Sequence, residues 1–298
     1  MKRLLKFLAF LLLGLVMVAV LVYAWIHITV ERRAARVYTV SVPAITVPHD
    51  DPAAIARGRY LAHQVSMCVE CHGEDLGGKM AIDSPAIGRI AGSNLTAGRG
   101  GLGATYTDED FVRAMLHGVR KDGRSAVFMP SQDYHFKASD VAALIAYIRS
   151  VPPVDRELPP PTFGPLGRIL TFAGAMPLLP AERIDHEART FVAEGDESTP
   201  EARGKYLVDT GACRGCHGPQ LTGESGMPDA ANLTPTGIGH YTFADFQRAL
   251  RDGVRPNGTA IKPDMPRVFG QLSDEDMRLI FTYLQSLPPA GKKAKGQL

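Results

Sequence analysis

The sequence predicts an all-α protein in which one N-terminal transmembrane helix precedes two tandem copies of a small helical domain. Three observations predict this architecture. Residues 7–26 carry no charged side chain. After residue 50 the chain contains an internal repeat, in which the same short motifs occur twice in the same order, and each copy holds one pentad of the form Cys-x-x-Cys-His. A length of 298 residues allows two domains of ordinary size. The formal charge of +2 predicts no nucleic-acid partner.

The N-terminal segment, residues 1–30, is predicted to be a transmembrane anchor. Twenty uncharged residues in a helix cover about 30 Å, which is enough to cross a bilayer. A cleaved signal peptide is the alternative, but its apolar region would usually be shorter and would end at a small-x-small site. Tyr23 and Trp25 stand at the end of the run, where aromatic side chains anchor a helix at the membrane surface. Residues 31–50, punctuated by proline, are expected to form a tether without a core of its own.

An internal repeat defines the rest of the chain. Residues 51–153 are predicted to form the first domain, 154–199 a Pro-rich connector, 200–290 the second domain and 291–298 a disordered tail. The matching segments are 57–61 with 203–207, 94–96 with 232–234, 118–120 with 253–255, and 129–130 with 265–266. Within the connector, the apolar island 163–179 is interpreted as a helix packed between the two domains, or else as a docking or membrane-surface segment.

Each copy is expected to contain helices separated by long loops. The predicted helices are 51–69, 107–117 and 139–150 in the first copy, and 242–251 and 273–286 in the second. Asp51 and Thr107 are expected N-caps, and Pro52 is expected at the first helical position. Gly58 and Gly204 fit two interpretations: a close crossing of the first and last helices, or a helix start merely loosened by glycine.

The two pentads carry the chemistry. In each, two thiols one helical turn apart can bond to the two vinyl groups of a porphyrin, and the adjacent imidazole can bind iron. A redox dithiol or a zinc knuckle are alternatives, but all four cysteines of the chain are used by the two pentads. The sequence therefore predicts two covalently bound haem c groups, held by Cys68, Cys71 and His72, and by Cys213, Cys216 and His217.

A second axial ligand is expected for each iron. Met129 and Met265 stand in register, each followed by proline and each in a loop before the last helix, so we expect them to ligate iron from the distal side. The alternative is that these methionines only fill the core. Met80 and Met227 follow their pentads too soon to cross the haem comfortably.

Other polar residues receive weaker assignments. His63 is expected at the surface, and His186 is expected to be solvated. Asn94 and Asn232 are expected to cap turns rather than to bind a haem propionate. Arg120 and Arg255 fit equally a propionate partner or a solvated charge beside a turn.

These motifs together resemble the multihaem cytochrome c subunits of membrane-associated bacterial dehydrogenases, notably the alcohol dehydrogenase type. The resemblance covers roughly residues 57–290. It implies two tandem class I-like cytochrome c domains here, where that family usually has three. It also implies that each domain binds haem through its pentad and a later methionine, which matches the eight residues given above.

The sequence as a whole predicts an electron-transfer protein rather than an enzyme. Electrons would come from a dehydrogenase or a quinol-oxidising complex and pass to an oxidase or a soluble cytochrome. Because haem c is attached outside the cytoplasm, the haem domains are expected in the periplasm, on a single-pass anchor in the bacterial inner membrane. A dihaem peroxidase or a gas-binding haem sensor is the alternative, and either would need an open iron position.

Overall fold

The computed structural model describes residues 1–195, 197–223, 227 and 229–290. The chain is mostly helical, as predicted, but it also contains a small three-stranded antiparallel sheet that an all-α class does not include. The predicted tail lies outside the described residues. The helices are α1 (Lys2–Ala34), α2 (Pro52–Tyr60), α3 (Cys68–His72), α4 (Asp108–His117), α5 (Ala138–Ser150), α6 (Pro165–Phe172), α7 (Pro200–Thr210), α8 (Cys213–His217), α9 (Pro235–Ile238), α10 (Phe243–Arg251) and α11 (Asp274–Ser286).

Helix α1 is long and apolar enough to cross a membrane. It continues to Ala34, so the first residues of the expected tether are helical. The remainder of that segment packs on the first copy: the Tyr38 amide donates to the Gly123 carbonyl at 2.8 Å, and Val42 and Ile45 lie against the core. This segment is therefore fixed on the first domain rather than free.

The helix predicted over residues 51–69 is broken in the structure. Helix α2 gives way to a π-helical turn, Leu61–Val65, and then to Met67 in the left-handed region at φ 55°. Gly58 precedes Cys68 by ten residues, whereas Gly204 precedes Cys213 by nine. A π-helical turn holds one more residue than an α-turn, so it accommodates this additional residue without displacing the pentad.

The first and last helices of each copy cross closely at glycine. A Cβ added at Gly58 of α2 would collide with the Ala143 carbonyl oxygen of α5, and one added at Gly204 of α7 would collide with the Leu279 carbonyl oxygen of α11. Both glycines are buried. The structure thus selects the close-crossing interpretation over a loosened helix start.

The predicted N-caps are present. Asp51 caps the start of α2, and Thr107 begins α4 with a capping box completed by Asp110. The equivalent Thr242 begins α10 with the same box, completed by Asp245. Each threonine oxygen accepts from the backbone amide three residues later, and each carboxylate accepts from the threonine amide. Helices α4 and α10 therefore start at equivalent points of the two copies.

The sheet joins the connector to the first copy. Strands β1 (Lys79–Ser84) and β2 (Gly88–Gly92) form a hairpin directly after the first pentad, and β3 (Thr162–Phe163) pairs with β2. Helix α6 follows β3 and packs against α1, where the rings of Trp25 and Phe172 lie 4.9 Å apart. The prediction of a helix between the two domains was therefore wrong, because α6 packs on α1 instead and leaves Leu166 and Ile169 exposed.

Candidate functional site

Each pentad forms an isolated helical turn, α3 or α8, fixed by unusual backbone on both sides. Met67 and Ala212 precede the turns at φ 55° and 53°, and Gly73 and Gly218 follow at φ 79° and 80°. Left-handed backbone costs a non-glycine residue free energy, so it persists where the surrounding packing demands it. Both copies carry the same feature, which holds the cysteines and histidine of each pentad on a separate turn.

The histidines of the two pentads are oriented in the same way. His72 Nδ1 donates to the Ser93 carbonyl at 2.7 Å, and His217 Nδ1 donates to the Ala231 carbonyl at 2.8 Å. With Nδ1 holding the proton, Nε2 keeps its lone pair and can bind a metal. Burial lowers the pKa of both imidazoles below its ordinary value, which favours the neutral form that ligates iron.

The accepting carbonyls are positioned by the Asn-Leu-Thr motif that follows them. The side-chain oxygen of Asn94, Oδ1, accepts from the Thr96 amide at 2.9 Å and from the Thr96 hydroxyl at 2.8 Å. The Asn232 oxygen makes the same pair of bonds to Thr234 at 2.8 and 2.7 Å. The prediction that these asparagines cap turns is confirmed, and each turn holds the carbonyl that orients a pentad histidine.

The four cysteines are free thiols in this structure. Burial raises the pKa of Cys68 and of Cys213 to about 12 and raises that of Cys71 and Cys216 as well. Within the described residues, no group of three or more His, Cys, Asp or Glu side chains is placed to hold a metal ion. The donor set therefore fits covalent haem attachment better than a zinc knuckle.

The two methionines expected as distal ligands are half-buried at the core. Met129 and Met265 both pack against the same hydrophobic cluster as Cys68 and Cys213. Met129 follows Phe128, which is held at φ 63° with its amide donating to the Leu178 carbonyl. Their contact with iron stays a prediction.

The structure brings the two pentads to one surface between the copies. The Tyr134 hydroxyl donates to the Ser66 carbonyl, two residues before the first pentad. The neighbouring Asp133 carboxylate lies against Gly215 of the second pentad, where an added Cβ would approach it to 2.8 Å. Thr210 donates to the His135 carbonyl at 3.1 Å. The segment 133–135 of the first copy is thus wedged between the two sites.

Two histidine predictions were wrong. His63 is buried, with Nε2 2.7 Å from the Tyr147 hydroxyl and Nδ1 3.1 Å from Glu74. His186 is half-buried rather than solvated, and its Nδ1 lies 3.2 Å from Nδ1 of the fully buried His117. Neither pair could be found from the repeat, because these histidines have no counterparts in the second copy.

Arg120 and Arg255, for which the sequence fits two roles equally, contact their own loops. Arg120 reaches Asp122 at 2.9 Å, and Arg255 donates to the Ala260 carbonyl at 2.6 Å. In both copies the arginine amide also bonds across the turn, to the carbonyl of Arg124 or Thr259. These contacts agree with a charge beside a turn.

Comparison with known proteins identifies the family of this chain. The family model described as cytochrome c matches this chain twice, at residues 55–152 and 201–288. The chain is 32% identical to the fructose dehydrogenase cytochrome subunit of Gluconobacter japonicus, over 82% of this chain and 54% of that protein. It is 31% identical to the cytochrome c subunit of the quinone alcohol dehydrogenase of Gluconobacter oxydans, over 85% of this chain and 59% of that protein.

A relative of more similar length is a dihaem c-type cytochrome of Cereibacter sphaeroides, 28% identical over 63% of this chain and 68% of that protein. The chain spans between half and two-thirds of the length of the dehydrogenase subunits it resembles. The two stretches matched by the family model make up more than half of the chain. This chain therefore belongs to the cytochrome c family, with haem c bound covalently in each of two cytochrome c domains.

Proposed function

We propose that this protein is a membrane-anchored dihaem cytochrome that carries single electrons and catalyses no reaction of its own. The observation that carries the proposal is the matched pair of pentads, oriented by identical backbone contacts and brought to one surface between the copies. An enzyme or a gas sensor would need an open iron position at one haem, whereas the two copies present matching sets of donor residues.

The residues proposed to hold the two haems are the eight that the sequence predicts. Cys68, Cys71, His72 and Met129 would hold the first haem, and Cys213, Cys216, His217 and Met265 the second, in domains 51–153 and 200–290. Haem iron supplies a centre that alternates between ferric and ferrous states, and a methionine ligand favours a high potential. The protein would contribute two cysteine sulfurs, an imidazole fixed through Nδ1 and a methionine thioether to each site.

The segment 133–135 would keep the two sites at a fixed separation. Tyr134 is buried, and its hydroxyl is fixed to the Ser66 carbonyl. Burial raises its pKa well above the ordinary value, so the phenol stays neutral at neutral pH. We propose that it serves as rigid packing between the sites, which keeps water out of the path.

The partners are proposed from the relatives. Their names describe cytochrome subunits of fructose, alcohol and gluconate dehydrogenases, which supports a dehydrogenase as electron donor, with a quinol-oxidising complex as the alternative donor. An oxidase or a soluble cytochrome would accept the electrons. Helix α1 would cross the bacterial inner membrane once, with the haem domains in the periplasm, because haem c is attached outside the cytoplasm.

An optical redox titration of the purified protein, repeated with carbon monoxide on the reduced form, tests this function. Two transitions at high potential and no carbon monoxide binding are expected, because both irons would be closed by methionine. Binding of carbon monoxide at one haem would contradict the proposal and favour a peroxidase or a gas sensor, since both require an open iron.

A further inference from the structure

We infer that residues 165–177, the connector finger, make a second contact with the lipid bilayer and sit in its headgroup layer beside the end of α1. The inference rests on the proposed membrane span of α1 and goes beyond it. The connector finger comprises α6 and the apolar turn that follows, Ala173 to Pro177. None of the eight residues proposed to hold the haems lies in it.

The direction of the connector finger is fixed by its contacts with α1. Arg168 pairs with Glu31 at 2.7 Å, and four residues later the Phe172 ring meets the Trp25 ring at 4.9 Å between centroids. Moving along α6 from 168 to 172 therefore descends α1 from residue 31 to residue 25, about 9 Å at the helical rise. The C-terminal end of α6 thus points toward the membrane.

The lowered end of the connector finger is apolar and uncovered. Ala173, Gly174 and Ala175 are exposed after Phe172, and they lie at the level at which the uncharged run of α1 ends. Leu166 and Ile169 are 44% and 42% exposed on α6 itself. In the described part of the chain, the exposed large hydrophobic side chains outside α1 are Val37, Leu166, Ile169 and Met227.

Arginines lie around this apolar end, and one of them, Arg183, donates to the Gly174 carbonyl at 2.8 Å. Arg33 pairs with Glu182 at 2.6 Å and also donates to the Thr171 carbonyl, so the connector finger is tied to α1 above its apolar end. Arg32 and Arg36 are exposed in the same stretch. Arginines around an apolar tip and a tryptophan match the layering of a bilayer, in which phosphates lie outside the acyl chains.

The occupant is a lipid surface rather than a protein. The apolar surface of the connector finger is continuous, through the Trp25–Phe172 contact, with the exposed surface of α1, which the proposed span places among acyl chains. Because α1 already holds the chain at the membrane, the short finger meets lipid at high local concentration and needs little apolar area of its own.

The contact would also fix the first haem site above the membrane. The connector finger follows β3, which pairs with β2, and Gly92 at the end of β2 lies against Cys71 so closely that a Cβ there would collide with the Cys71 carbonyl. A rigid path therefore runs from the lipid surface to the first pentad.

Thiol labelling of the full-length holoprotein in lipid nanodiscs tests the inference. All four natural cysteines would be bonded to haem, so one added cysteine is the only reactive thiol. The variants are Ala175→Cys in the connector finger, Val18→Cys in the middle of α1 and Met227→Cys in the second copy. All three positions are exposed in the structure. Each is treated with a charged maleimide and, separately, with an apolar maleimide.

Protection of Ala175→Cys from the charged reagent, by about tenfold relative to Met227→Cys, with ready reaction toward the apolar one is expected of a lipid contact. Equal reaction of Ala175→Cys and Met227→Cys with the charged reagent, while Val18→Cys stays protected, would overturn the inference and leave the anchor standing. Ready reaction of Val18→Cys with the charged reagent would instead overturn the anchor. Slow reaction of Ala175→Cys with both reagents would mean that a protein covers it, which also contradicts a lipid contact.

Discussion

The hydroxyl of Tyr206 donates a hydrogen bond to the buried Asp140 carboxylate of the other copy at 2.6 Å. The same hydroxyl accepts from the Lys137 amide at 3.1 Å. Lys137 is the N-cap of α5 and Asp140 is its third helical residue, so the tyrosine hydroxyl bridges the N-cap amide and the carboxylate that bond directly to each other in a capping box. Burial raises the pKa of Tyr206 far above its ordinary range, which keeps the phenol protonated.

The equivalent contact is made in the other direction, from a tyrosine of the first copy to the last helix of the second. The Tyr60 hydroxyl donates to Asp276 at 2.5 Å and accepts from the amide of Ser273, the N-cap of α11. Tyr60 and Tyr206 are equivalent in the repeat, as are Asp276 and Asp140. Each copy therefore helps to start the last helix of the other, and the two domains are related as partners in a symmetric dimer would be.

Replacing the Tyr206 hydroxyl should weaken this interface. In Tyr206→Phe the Asp140 carboxylate loses its tyrosine donor and the Lys137 amide loses an acceptor, so the free energy of unfolding should fall by about 1–3 kcal/mol. Urea denaturation of the holoprotein measures it. Tyr60→Phe is the matched control and should cost less, because Asp276 is only half-buried. Equal losses, or none, would contradict the role assigned to burial here.

The glycine crossings should not tolerate a methyl group. Gly58→Ala and Gly204→Ala each place a Cβ on a backbone carbonyl that cannot rotate away, so α2 and α5, or α7 and α11, must separate. We expect a loss of about 1–3 kcal/mol or more for each variant. Gly14→Ala, where an added Cβ has nothing within 4 Å, should leave the urea midpoint unchanged. A stable Gly58→Ala protein would show that the helices can repack.

The proposed iron ligands make separate predictions for the two sites. Met129→Ala should open one iron and Met265→Ala the other, so each reduced variant should bind one carbon monoxide per protein, with the wild type binding none. Met80→Ala and Met227→Ala are the controls and should behave like the wild type. Carbon monoxide binding by a control variant, and its absence in Met129→Ala, would move the ligand to a different methionine.

Acid should destabilise the protein through His117. Burial, together with the smaller effect of the neighbouring His186, lowers its pKa from an ordinary 6.5 to about 4. The unfolded chain takes up the proton first as the pH falls below 6.5, so the stability from this group is complete above that pH and is lost as the pH approaches 4.

The size of this effect can be measured. Between about pH 7 and pH 5 the group should account for a loss of about 1–2 kcal/mol in urea unfolding. His117→Gln should flatten this pH dependence, whereas His240→Gln, at an exposed position, should retain it. An unchanged pH profile in His117→Gln would assign the acid sensitivity to other groups.

The parts of the fold that follow local rules could be predicted from the sequence. Thr107 and Thr242 predict the starts of α4 and α10, because a capping threonine acts within three residues. The Asn-Leu-Thr turns were predicted for the same reason. The pentads need no tertiary information, since the chemistry of attachment fixes the spacing of their side chains.

The parts that depend on distant packing could not be predicted. The helix breaks at Met67 because the pentad forms a separate turn. No residue pattern within 51–69 predicts this break. The pairing of Tyr60 with Asp276 joins positions 216 residues apart. The hairpin of β1 and β2 exists in one copy only among the described residues, so the repeat gave no hint of it.

The packing of residues 36–47 on the first domain limits how the protein can search for a partner. A chain segment whose amide at Tyr38 bonds to Gly123, and whose Val42 and Ile45 join the core, cannot behave as a swinging arm. With α1 in the bilayer, the first haem would keep one height above it. Encounters with a donor or acceptor would then depend on lateral diffusion in the plane of the membrane, and their frequency would respond to bilayer viscosity and protein crowding rather than to linker length.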